Sequence, residues 1–286
     1  MRRILIATAL LVPAASSGCA GTPPAAAPPP ASEPPAPTAE VLSLRFPLED
    51  YELSLTEAAT VETAEDILVG RCMTARGLRW QALPRVTVTE IPNRRRYGVI
   101  EPAVAATFGY HLVEEPSDRK RSRDRRLRDL ALTRDQRLAA YGTGGTGGCW
   151  AEANARAWRD MPAAEDALLR RLVQESFATS LRDPHLRSSF RAWSRCMAGR
   201  GFGYPDPLSA AADPRWRSPR PSREETRTAV ADVACKEQAG LVRTWSAIET
   251  AFHRKAAERH RRALLVLRAA KAAWLADVRR IISEAP

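Results

Sequence analysis

Apolar side chains recur along most of this chain every third or fourth position, the spacing that puts them on one face of a helix. Strand-like alternation is confined to a loose run over 41–55 and to VTVTEI (86–91), the one short candidate strand. The stripe is clearest at Leu186, Phe190, Trp193 and Met197, in a helix opened by Asp183 as N-cap and Pro184 at its first position. A longer stripe runs through Trp245, Ile248, Phe252, Leu264, Leu267, Trp274, Val278 and Ile281. It predicts helix from the capping box Ser222/Glu225 to about Ile282, bent at Gly240.

Other helices follow from their end signals. Thr63 reads as the N-cap and Gly77 as the stop of TAEDILVGRCMTARG (63–77), and a short helix runs from Pro102 to just before Gly109. Thr133 with Gln136 forms a capping box for a helix to Tyr141, and Cys149 opens another through Trp158. A helix beginning near Pro162 carries Leu168, Leu172 and Val173 on one face. RKRSRDRRLR (119–128), with seven basic residues and one acid, reads as a solvated, mobile segment. GTGGTGG (142–148) reads as a flexible break, and 204–221 as a loop. The sum is a mainly α, disulfide-stapled helical domain with two related halves, about 56–160 and 161–286, and a long C-terminal helix.

The relation between the halves rests on a near-repeat, RCMTARG (71–77) and RCMAGRG (195–201), followed by Leu78 and Phe202. If each glycine takes the left-handed position just past a helix end, Arg76 and Arg200 are C-caps. Leu78 then packs back on Met73, and Phe202 on Met197. The arginine suits the negative end of the helix dipole, and the cysteine is left to meet another element.

The N-terminus changes the picture of where this domain resides. Arg2 and Arg3 precede the apolar run ILIATALLV (4–12), which is too short to span a bilayer, and SSG then leads to Cys19. This predicts a signal peptide over 1–18 and lipidation of Cys19, although Ser16 stands where a lipoprotein signal usually has an aliphatic residue. Ordinary secretion, with cleavage after Ala20 for example, is the alternative. Residues 19–40, almost all Ala, Pro and small polar, read as a tether, leaving 41–286 as the folded extracytoplasmic domain.

Either processing route leaves four cysteines, an even set that suits an oxidising compartment. Four cysteines allow three pairings. The order of motif cysteine then helix cysteine in each half, with Ala four residues beyond both Cys149 and Cys235, favours Cys72–Cys149 and Cys196–Cys235.

The CM-x-x-x-G-aromatic motif, RRRYGVIEPAVAATFGYHL (94–112), GGC (147–149), the Trp193–Cys196 segment and AVADVACKEQAGLVRTW (229–245) resemble a group of exported actinobacterial proteins, many with lipoprotein signals. The resemblance spans most of the mature chain. It implies location and architecture, and assigns no catalytic residue.

The formal charge is +11, and only four of the 44 basic residues are lysines. Such a protein favours anionic surfaces, so the expected partners are the membrane through the lipid anchor and a wall polyanion or another envelope protein. Nucleic acid is a poor partner outside the membrane. The last helix could lie on anionic lipid. However, its apolar row is too long for a monomer to leave exposed, and the helices bearing Leu168, Phe190 and Trp193 need a cover. The stripe is therefore expected to face inward.

The chemistry-bearing residues form no familiar set. His111, His185, His253 and His260 have no metal-ligand spacing, although His253 and His260 share a helix face. GTGGTGG lacks the Lys-Ser/Thr of a phosphate loop, leaving at most a weak anion nest. Glu114/Glu115 and Glu224/Glu225 are adjacent rather than facing, and Trp80, Tyr97 and Tyr110 are as well suited to a core as to a ligand groove. No catalytic residue, cofactor site or metal site is assigned. The expected function is a non-catalytic helical binding or interaction module of the cell envelope; the alternative is an envelope hydrolase or wall-modifying enzyme with a site assembled from scattered residues.

Overall fold

The computed structural model describes residues 33–85, 88–89 and 91–285. The signal peptide, Cys19 and residues 19–32 of the tether lie outside the described residues. Twelve α-helices occur among those described. They are α1 (Ala39–Ser43), α2 (Leu55–Ala75), α3 (Pro102–Phe108), α4 (Pro116–Ala131), α5 (Arg134–Tyr141), α6 (Gly148–Ala157), α7 (Ala163–Ser180), α8 (Pro184–Gly199), α9 (Pro207–Ala211), α10 (Arg223–Gln238), α11 (Leu241–Arg259) and α12 (Arg261–Ser283). No strand is formed among these residues: Val88, Thr89 and Ile91 of the candidate strand are irregular, and the rest of it lies outside them.

Both motif copies end their helices as a Schellman cap requires. Gly77 has φ +70° and Gly201 φ +87°. The Leu78 N–H donates to Met73 O, and the Phe202 N–H to Met197 O, each at 2.9 Å. The cysteines one residue before the methionines then meet neighbouring helices: Cys72 is bonded to Cys149 of α6, and Cys196 to Cys235 of α10. The bridges close loops with sequence separations of 77 and 39 residues. Chain entropy limits each to about 4 kcal/mol of stabilisation. Both disulfides are consistent with an extracytoplasmic location.

Several expectations need correction. The helix expected from Thr63 begins earlier, at Ser54, whose hydroxyl and the Glu57 carboxylate form a reciprocal capping box. Thr63 lies inside α2 and its hydroxyl donates to Ala59 O. The tether ends sooner than residue 40, because Thr38 caps α1 and its N–H donates to Glu101 while Pro35 O accepts from Arg94. The arginine-rich run is helix α4 rather than a mobile segment. Arg128 is buried, donating to Asp66 at 2.6 Å and lying 4.1 Å over the Trp80 ring, and Arg121 reaches Glu62 at 2.7 Å. Those carboxylates sit on α2, so local composition could not reveal them.

The 204–221 loop contains α9 and a short 3₁₀ turn that buries Trp216 against Tyr110. The C-terminal helical run breaks at Gly240, as expected, and again at His260, which has φ −106° and ψ 17°. No glycine or proline marks the second break. Beyond it Leu264 and Leu267 of α12 still pack with Ala256 of α11 against Leu169 and Leu172 of α7, and the later turns of α12 lie on α2.

The apolar stripe faces inward. Trp245 is fully buried and lies 5.4 Å from Phe177 and 5.3 Å from Phe190, ring to ring. Trp274 lies elsewhere, 5.1 Å from Trp158 with its indole N–H donated to Ala157 O. Each core therefore draws on segments distant in sequence. Trp274, Leu275 and Val278 of α12 complete the core built on α2 and α6. Likewise, residues 41–46 and 97–110 complete the core of α8, α10 and α11.

Candidate ligand-binding cleft

The carboxylates deepest in the protein are committed to partners. Glu249 is fully buried, receiving Arg96 at 2.9 Å and the Tyr97 hydroxyl at 2.6 Å. Burial, then the Glu249 charge, holds the Tyr97 phenol far above its ordinary range. Asp232 accepts from the Trp193 indole at 2.8 Å and from Lys236 at 2.9 Å, and Lys236 also donates to Val99 O. Burial pushes the Asp232 carboxyl up and the Lys236 ammonium down, and their mutual attraction opposes both shifts. His111 lies between Glu225 and Ser218 O, at 2.8 and 2.7 Å. Burial disfavours its cation, but these two hydrogen bonds outweigh that and raise its pKa.

The other sequence candidates are structural or isolated. His185 is exposed at the start of α8, His260 sits at the α11–α12 break, and His253 is buried. Among the described residues no group of three His, Cys, Asp or Glu is placed to hold a metal ion. The GTGGTGG segment is a tight turn: a Cβ on Gly142 would lie 1.9 Å from Thr146 O, so glycine there serves backbone closure. Tyr97 and Tyr110 are core residues. Glu115 is held by Arg94 and Glu224 by Arg215.

One opening has a different character. A cleft of about 450 Å³ lies between α2, α4 and the segment carrying Val88 to Arg95. Ala58 and Ala59 leave room on α2, and Leu55, Ile91, Pro92 and Val113 add apolar wall. Four arginines, Arg94, Arg95, Arg121 and Arg125, line it together with Glu62, Glu115 and Asp118.

The arginines are not equivalent. Arg94 is consumed, donating to Glu101, Glu115 and Pro35 O. Arg121 and Arg125 approach the same Glu62 oxygen at 2.7 and 3.6 Å, so one carboxylate faces two guanidiniums. Arg121 Nε is buried with no hydrogen-bond partner among the described residues. Arg95 donates to Tyr110 O through one nitrogen, while its Nη1 is buried and unpartnered. Burial lowers the Arg95 pKa, and the Asp232 and Glu101 charges oppose the shift. Leaving one such donor unsatisfied costs roughly 1–3 kcal/mol, which an oxygen acceptor on a ligand would recover. Sequence reasoning missed these residues because the basic run shows how many arginines there are but not which face each takes.

The chain matches no family model, no curated protein and no solved structure. Among the described residues no helix is long and apolar enough to cross a membrane.

Proposed function

We propose that this chain is a lipid-anchored binding module of the cell envelope that holds its ligand in the α2–α4 cleft, without chemistry. The observation that carries this reading is the cationic lining of the cleft. In the cleft, two guanidiniums share one carboxylate and a buried donor is unused. In the core, Glu101, Glu225, Asp232 and Glu249 are each bound to a basic or aromatic partner. The two disulfides support an extracytoplasmic site of action, as does the resemblance to exported actinobacterial lipoproteins. The lipid on Cys19 would hold the domain at the outer face of the membrane, in reach of wall polyanions and other envelope proteins.

Two arms test this. Labelled palmitate should enter the wild type and not Cys19→Ala; labelling of neither would remove the anchor. A photo-crosslinking residue at Ser122, on the cleft, should capture an envelope component in cells, and one at the exposed Val230 should not. Equal capture at both positions would remove the cleft from the account.

A further inference from the structure

The cleft combines two surfaces that seldom meet without a purpose. One is apolar, from Ala58 and Ala59 of α2 with Ile91, Pro92 and Val113 opposite; the other is cationic, from Arg121, Arg125 and Arg95. An inorganic anion would use only the second surface and a hydrocarbon only the first. A ligand that uses both has an anionic oxygen group on an apolar chain, and the cleft's volume of about 450 Å³ lies in the range of small-molecule sites.

Resting on the reading of this cleft as a binding site, we propose that it takes a small amphipathic anion, a phosphate monoester or a carboxylate bearing a short apolar chain. Arg121 is the principal receiver of the anionic oxygens. Its side chain is 12% exposed, it is held in place through Nη2 by Glu62, and its Nε retains a donor unused among the described residues. Arg125 adds charge from one turn further along α4, where it shares Glu62 with Arg121. Arg95 contributes a third cation, one with no carboxylate within ion-pair distance among the described residues. Asp118 works against the ligand: it lines the same cleft one turn before Arg121, and its charge would repel an anion. The assignment therefore predicts opposite effects for two substitutions on the same helix, a pattern that loss of folding cannot imitate.

The test is titration calorimetry on the purified full chain with hexyl phosphate, hexanoate, inorganic phosphate and hexanol. One of the first two should bind with single-site stoichiometry and at least tenfold more tightly than inorganic phosphate or hexanol. Its identity distinguishes a phosphate source from a carboxylate source. Arg121→Gln should weaken that binding about tenfold, the equivalent of one charge-assisted hydrogen bond. Arg121→Lys should recover part of it, and Asp118→Asn should tighten it. Hexanol binding as well as the anions, or affinity unchanged in Arg121→Gln, would overturn the assignment. If no probe binds while Ser122 still captures an envelope component in cells, the amphipathic anion is wrong and the binding-module reading stands.

Discussion

His253 is 1% exposed, with neither ring nitrogen hydrogen-bonded and its ring 5.4 Å from Phe46. Burial first, and then the nearby Arg96 charge, lower its pKa to about 4, against the weaker pull of Glu249. The folded state thus prefers the neutral ring, while the unfolded chain binds a proton near pH 6.5. The stability this residue contributes is complete above about pH 6.5 and is lost as pH falls towards 4, by about 3 kcal/mol. His111 has the opposite sign: with its pKa raised, its contribution is complete below about pH 6.5 and fades as pH rises through the folded value. We expect His253→Phe to flatten the acid side of a denaturant-derived stability profile and to raise stability at pH 7 by about 1 kcal/mol. A profile as steep as the wild type's would place the acid sensitivity elsewhere. The stripe through Trp245 and Phe252 made burial of a neighbouring histidine foreseeable; its lack of partners was not, because those neighbours come from distant segments.

At the scale of the element, what was legible is what is local. The Schellman caps at Gly77 and Gly201, the Ser222 and Thr133 capping boxes and the Asp183-Pro184 helix start all depend on residues within a turn of each other. Thr63 was misread because a hydroxyl inside a helix carries the same letters as one that caps it. Helix α4 was illegible for a different reason. Its mean composition is strongly polar, and its order derives from Glu62 and Asp66, which lie more than fifty residues earlier in the chain. Glu62→Ala with Asp66→Ala should therefore expose the amides of 119–130 to rapid hydrogen exchange while α5, with its own capping box, stays protected. Protection of α4 unchanged in the double variant would mean that it is a helix in its own right. The cleft was illegible for the same reason as α4, since its residues belong to one site only once α2 and α4 pack.

The described domain is held together by segments that lie far apart in the sequence. The motif repeat made the two helix caps readable, and the residue order around it favoured the disulfide pairing that the structure contains. The periodic pattern showed that the last helix has a buried face, but periodicity does not name the surface that face will meet. Trp274 goes to α6 and α2 rather than to the α7–α8 surface that buries Trp245. Trp274→Ala should thus destabilise the entire fold by about 3–5 kcal/mol, because it opens the core closed by Cys72–Cys149 from the far end of the chain. Calorimetry should record one transition at a lower melting temperature; loss of a separate early transition alone would indicate halves that fold independently.

The central claim is that this molecule binds and does not transform. It is tested most directly by offering the purified full chain, and Arg121→Gln beside it, separate envelope fractions: lipids, wall polymer and small soluble compounds. Melting temperature and the mass of the recovered fraction are read together. The account predicts that one fraction raises the melting temperature of the wild type, raises that of the variant less, and is recovered unchanged in mass. A fraction recovered chemically altered by the wild type would contradict it and establish an enzyme.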